Sequence, residues 1–309
     1  MRSYVLFAVG QSYIDKIQLL IDYILKYSKY NIVLCYSEGN VKFDNDRLTS
    51  IYMEIPYVID FNVANHSISA VRNCYLMCFK QNACQLAIQN TNYDEFVYLD
   101  SDVLPMPNID TMFDVWSSQC TNFPLLSKYP ANEMRIEGRP FVLDKVLNIL
   151  GISRNMKCVP SLCAGFFFFN RQCWSFINTW TSFIQSKQYI DVFTKPDGFG
   201  NLDMCQYTDE GAGNALMWLY GYNNYVGPMV WTSLAECVKY VLNSYTQPYD
   251  VELHPDYPDT HVWIPDCYSY PYVGNTSVYP VNKKDLFAFH AIKDYNEFKK
   301  AIEYVDKFY

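Results

Sequence analysis

Tyr4-Val-Leu-Phe-Ala-Val9 is an unbroken apolar run. A stripe at Ile14, Ile17, Leu20, Ile21, Ile24 and Leu25 follows it, and then a second apolar run, Ile32-Val-Leu-Cys35. Such runs read as strands covered on both faces. The spacing of the stripe is that of an amphipathic helix. Strand, helix, strand in this order predicts a parallel, right-handed unit, and so an α/β fold on a mostly parallel sheet with helices on both faces.

The same alternation continues outward. Ile51 to Ile59 reads as a strand or strand pair broken at Pro56, and Ser67 to Leu86 as mostly helical, with Ala70, Cys74, Met77 and Cys78 on one face. Phe96-Val-Tyr-Leu99 is the next strand, and Asn108 is placed to cap a helix running through Trp116. Leu125-Leu126 opens a short strand, Leu143 to Leu150 is a helix and Gly165 to Phe169 a strand. Cys173 to Ile184 and Gly213 to Tyr220 are helices, Leu286 to Phe289 a strand and Asn296 to Phe308 a closing helix. The segment from Asn243 to Pro280, rich in proline and tyrosine, reads as an irregular surface arm.

Composition excludes several classes. Half of the 309 residues are hydrophobic, too many for a disordered chain or a coiled coil. Lys and Arg number 24 against 32 Asp and Glu, a net charge of −8, with no basic stripe for a nucleic-acid backbone. The eleven cysteines contain no C-x-x-C pair, which disfavours a zinc site and predicts reduced thiols packed as small hydrophobes. The longest apolar run, Leu162 to Phe169, is far short of the roughly 18–20 residues of a membrane span. The N-terminus lacks a small-residue cleavage site, so a cytoplasmic location is expected.

Chemistry concentrates in Phe96-Val-Tyr-Leu-Asp-Ser-Asp-Val-Leu-Pro105. In extended backbone Asp100 and Asp102 point to one side and Ser101 to the other. Two close carboxylates repel unless a cation sits between them, and a hard divalent ion is the natural filler. The tip of a strand in an α/β sheet is also where ligands gather. The plainer alternative is a turn whose aspartates cap backbone amides. Leu286-Phe-Ala-Phe-His290 ends a second apolar run in a histidine, with Lys293 just beyond. An imidazole added to two carboxylates favours Mn²⁺, with Mg²⁺ also possible; a histidine bonded to backbone is the bland alternative.

Two further segments carry weaker signals. Cys163-Ala-Gly-Phe-Phe-Phe-Phe-Asn170 reads as a small-residue turn leading into a buried strand. Ala164 and Gly165 would let a ligand approach the backbone there, or simply permit close packing. Thr208-Asp-Glu-Gly-Ala-Gly-Asn-Ala-Leu216 puts Asp209 and Glu210 at a helix start, where negative charge is favoured, and its glycines suggest a pliable entry. One of these carboxylates could face a substrate.

These four segments, in this order, resemble the GT-A glycosyltransferases, and most of all the glycogenin- and galactosyltransferase-like branch, family 8. Leu99-Asp-Ser-Asp-Val103 matches the family's D-x-D step at the close of the fourth strand. Cys163 to Asn170 matches its N-A-G-x-x-x-x-N-like strand with cysteine in place of asparagine. Asp209-Glu210 through Asn214-Ala-Leu216 matches its D-Q-x-x-L-N segment loosely, and His290 matches its late histidine. The resemblance spans Tyr4 to about Lys293.

It implies a single GT-A domain over residues 1–309. About 1–104 would form a nucleotide-binding half. About 105–309 would form a half for donor sugar and acceptor, with the arm 243–280 as an acceptor surface bearing Trp263, Tyr268, Tyr270 and Tyr272. The implied activity is metal-dependent transfer of a hexose from a nucleoside diphosphate sugar, UDP-linked, to a glycan, protein or small-molecule acceptor. Asp100, Asp102 and His290 would hold Mn²⁺. Val9, Tyr13, Arg72, Asp100, Ser101, Ala164, Gly165 and Lys293 would surround the donor, with Tyr13 stacked on the base and Arg72 and Lys293 sharing the diphosphate charge. Asp209 and Glu210 would be the catalytic carboxylates. A sugar-nucleotide nucleotidyltransferase would want a Gly- and Arg-rich loop after the first strand, where Val9-Gly-Gln-Ser-Tyr13 has one glycine and no arginine. A binding module without turnover would have little use for the paired aspartates.

Overall fold

The computed structural model describes residues 1–56, 72, 75–105, 107, 109–118, 120–128, 151, 162–189, 208–219, 288–289 and 295–308. In chain order the elements are β1 (Arg2–Val9), α1 (Gln11–Tyr27), β2 (Asn31–Ser37), β3 (Leu48–Tyr52), α2 (Lys80–Asn90), β4 (Glu95–Leu99), β5 (Leu104–Pro105) and α3 (Thr111–Ser117). They continue with β6 (Leu125–Lys128), β7 (Leu162–Asn170), a 3₁₀ turn at Arg171–Cys173, α4 (Trp174–Ile184), α5 (Thr208–Leu219), β8 (Ala288–Phe289) and α6 (Tyr295–Phe308). The expected helix at 143–150 and the arm 243–280 lie outside the described residues.

The molecule is mixed α/β, built on a six-stranded sheet of order β3-β2-β1-β4-β7-β6. The first strand–helix–strand unit is parallel, as its hydrophobic pattern predicts, and β3 and β4 join β2 and β1 in the same direction. The six-stranded sheet is mostly parallel, as expected, with β7 alone among its six strands reversed. β7 runs antiparallel to β4, and β6 antiparallel to β7. A second, two-stranded sheet pairs β5 with β8.

The apolar runs form strands because both faces are covered. Tyr4, Val5 and Leu6 have no exposed surface, nor do Phe166, Phe167, Phe168 and Phe169. The phenylalanines alternate between faces, as the two-residue period of a strand requires. Phe166 and Phe168 meet Trp116 of α3, while Phe167 meets Trp180 of α4. Cross-strand partners stack in register: Phe96 on Phe169 at 4.9 Å and Tyr98 on Phe167 at 5.0 Å. Such aromatic pairs add about 0.5–1.5 kcal/mol each beyond the area they bury.

Two expectations are refined locally. The mostly helical stretch Ser67 to Leu86 is interrupted: the chain turns at Cys78-Phe79, and α2 begins at Lys80. Phe79 sits at φ −105°, ψ 0°, outside helical geometry. The helix α3 starts at Thr111 rather than just after Asn108, which lies outside the described residues. Asp110 precedes it, but its carboxylate is used across the fold. It accepts hydrogen bonds from the Tyr4 hydroxyl at 2.7 Å, the Ser28 hydroxyl at 2.5 Å and the Lys29 N–H at 3.0 Å. This ties β1 and the α1–β2 loop to α3.

Arginines close two helices. Arg171 donates to the carbonyls of Ile88 and Thr91 at the end of α2 and to Tyr93. Arg47 donates to Leu25 and Ser28 at the end of α1. Both satisfy carbonyls that a helix end leaves without partners. α6 is fastened to α1 by Lys26–Asp306 at 2.8 Å and by the Tyr27 hydroxyl on Asp306. Cys35, Cys78, Cys84, Cys120 and Cys173 are buried thiols, and burial pushes Cys35 up to about 12. Among the described residues no helix is long and apolar enough to cross a membrane.

Candidate active site

The parallel strands deliver their carboxyl ends to one edge of the sheet. β1 ends at Val9, beside Ser37 of β2, and the chain turns into α1 at Gly10. Gly10 donates its N–H to the Ser37 carbonyl at 2.9 Å with φ +85° and ψ 152°, a conformation that L side chains rarely adopt. One turn into the helix, Tyr13 is 47% exposed. Its hydroxyl pKa is raised, first by burial and then by the negative charge of Asp102 and Asp100, with Lys80 opposing. Tyr13 therefore lies within electrostatic reach of the Asp-x-Asp pair.

Asp100 follows β4 directly. The strand period carries over, so Tyr98 and Asp100 share a face, and the Tyr98 hydroxyl donates to Asp100 Oδ1 at 2.8 Å. Tyr98 is fully buried, and burial together with Asp100 holds its hydroxyl well above the usual tyrosine range. The second carboxylate oxygen, Oδ2, accepts from Lys80 Nζ at 2.7 Å. Past Asp100 the extended backbone stops. The Val103 N–H returns to the Asp100 carbonyl at 3.0 Å, and Ser101 and Asp102 form a turn. The two aspartates are thus not presented by a continuous strand, and Ser101 is buried within the turn.

Lys80 is the residue that sequence reasoning missed. Its Nζ lies 2.7 Å from Asp100 Oδ2 and 2.8 Å from Asp209 Oδ2, with side chains 11%, 16% and 3% exposed respectively. The contact of Asp209 Oδ2 with the ammonium is thus a buried ion pair. Burial alone would pull Lys80 down. Asp100 and Asp209 outweigh it and hold the ammonium well above the ordinary lysine value. Burial of one ammonium between two carboxylates is tolerable only because each charge has a close partner.

Asp209 is the second residue of α5, and that helix is fixed by Trp180 of α4. The indole Nε1 donates to the Asp209 carbonyl at 3.1 Å. A Cβ placed on Gly213, one turn later, would sit 2.5 Å from Trp180 Cζ2. Gly213 therefore admits the indole against the helix, a different role from the pliable entry its sequence suggests. Gly213→Ala is expected to lose about 1–3 kcal/mol to overpacking, against about 1 kcal/mol regained in helix propensity, and thermal denaturation reads the net loss.

The remaining predicted residues fall as follows. Gly165 accepts the Asp100 N–H at 2.8 Å through its carbonyl, and Ala164 is buried beside it. Both lie within β7, in strand rather than in a turn, where the pairing with β6 shifts register between Leu126 and Ser127. Irregularities of this kind re-aim the chain at the end of a sheet. Arg72 forms an ion pair with Glu38, just past β2, which has φ +53°. β8 pairs with β5 so that Phe289 lies opposite Leu104, bringing the end of the Leu286–Phe289 run next to the aspartate turn. His290, Lys293 and the side chain of Glu210 lie outside the described residues. Among the described residues no group of three His, Cys, Asp or Glu is arranged to hold a metal ion.

No protein-family model matches the sequence, and no curated protein does. Among solved structures, a glycosyltransferase involved in the glycosylation of the major capsid of PBCV-1 is similar over 99% of this chain and 100% of its own, at 10% identity and a TM-score of 0.40. Mouse xyloside xylosyltransferase 1, in its apo form, is similar over 82% of this chain and 95% of its own, at 12% identity and a TM-score of 0.43. Both neighbours are glycosyltransferases.

Proposed function

We propose that this protein is a metal-dependent glycosyltransferase that moves a sugar from a nucleoside diphosphate, UDP-linked donor to an acceptor hydroxyl. The observation that supports this most is the cluster at the tip of β4. There Asp100 and Asp102 follow the fourth strand, their charge raises the pKa of Tyr13, and Lys80 joins Asp100 to Asp209.

The donor set suits a hard divalent ion. A carboxylate offers about four lone-pair sites, so Asp100 retains acceptor capacity after binding Tyr98 and Lys80. Asp102 and Asp100, with His290, would hold Mn²⁺ or Mg²⁺, which when bound supplies a Lewis acid for the departing diphosphate. Tyr13, half exposed at the first turn of α1, stacks on the base. Arg72 and Lys293 take up part of the diphosphate charge. Ala164 and Gly165, with little or no side chain, would let the sugar come close to the end of the sheet. Asp209, with an ammonium at 2.8 Å, is a poor general base and orients the sugar instead. Glu210 is the proton acceptor if configuration inverts.

Incubation with a panel of nucleotide sugars and Mn²⁺ tests the reading. The expected product is free nucleoside diphosphate. Asp102→Asn should lower its release by at least about 100-fold and abolish the thermal stabilisation that Mn²⁺ gives the wild type. Release of pyrophosphate, or binding without product, would replace transfer with nucleotidyl chemistry or simple recognition.

A further inference from the structure

We infer that Trp180 is a positioning residue that acts through Asp209. The claim rests on the proposed role of Asp209 at the donor sugar.

The indole touches α5 at two points one turn apart. Its N–H holds the Asp209 carbonyl at 3.1 Å, and its six-membered ring fills the space that a Gly213 side chain would occupy. Residues four apart lie on one side of a helix, so these contacts fix both the rotation of α5 about its axis and its advance along it. The Asp209 side chain leaves that first turn toward Lys80, and its reach to Nζ at 2.8 Å depends on the setting of the turn. Trp180 is itself packed in the core. It has no exposed surface and packs on Phe167 at 5.7 Å and Phe176 at 6.0 Å. A purely hydrophobic ring would fill the same space without registering the carbonyl.

Trp180→Phe keeps a ring and loses the N–H. Because a shift of about 1 Å at a reacting group costs on the order of 100-fold in rate, the variant should lose roughly 10- to 100-fold in kcat, with the donor KM changed much less. The same substitution in an Asp209→Asn background should cost nothing further, since the group it serves is already disabled. A crystal structure of Trp180→Phe should show the Asp209–Lys80 contact opened beyond about 4 Å, the limit of an ion pair. An unchanged kcat, an equal loss in the Asp209→Asn background, or an intact 2.8 Å contact in the variant would each overturn the inference. If the wild type releases nucleoside diphosphate from no nucleotide sugar, the proposed function falls, and the crystal structure alone decides the role of Trp180.

Discussion

Lys80→Met is expected to destabilise the protein by about 3–5 kcal/mol, the range seen when one partner of a buried ion pair is removed. Methionine keeps the length and apolar stem of the side chain but takes away the charge. Asp100 Oδ2 and Asp209 Oδ2 would then face one site without the ammonium that lies 2.7 and 2.8 Å from them. Urea denaturation should show a lower midpoint with an unchanged slope. The folded-state pKa of Lys80 is raised, so its contribution is complete below the ordinary lysine value of about 10.4 and is lost only as pH climbs through the higher folded value. The difference between variant and wild type should therefore stay flat from about pH 7 to 9. A variant as stable as wild type would show that the ammonium does not hold the two carboxylates together. Lys80→Arg keeps the charge but not its compact placement between two oxygens, so turnover should fall while stability drops by less than in Lys80→Met.

Phe167→Ala is the second large effect. Phe167 is fully buried and touches Tyr98, Phe169 and Trp180. Truncation of a buried phenylalanine costs about 3–5 kcal/mol through lost transfer energy and the cavity left behind. Phe168→Ala is the matched control, since Phe168 is equally buried but faces Phe113 and Trp116 on the other side of the sheet. Both should lower the denaturation midpoint by similar amounts. Only Phe167→Ala should also depress turnover per folded molecule. Tyr98, which holds Asp100, and Trp180, which holds α5, both lean on the ring it removes.

Much of this arrangement is legible in the sequence because burial on both faces leaves a signature. The runs at Tyr4–Val9, Ile32–Cys35 and Phe166–Phe169 needed no context to be read as strands. Asp100 and Asp102 stood out because polar residues end an apolar run. Lys80 did not, and the reason is physical. A lysine is ordinarily solvated, and in a stretch read as mostly helical from Ser67 to Leu86 nothing marks it. Its burial depends on the turn at Cys78-Phe79, which restarts the helix at Lys80, and on Asp209, 129 positions further along. The antiparallel direction of β7 was equally hidden, since an all-apolar strand carries no sign of its direction. Gly213 was misread for a related reason: what a missing Cβ makes room for is a partner remote in the chain.

The direction of β7 decides what its neighbouring segments can reach. Because β6 runs with β4 and β7 against it, the chain leaves the sheet at Lys128 and returns at Leu162 on the same rim that carries Asp100. A change of chain length between those two anchors leaves every ladder of the sheet as it was. The sheet thus has one rim at which chain can be exchanged without disturbing the strands that carry Asp100.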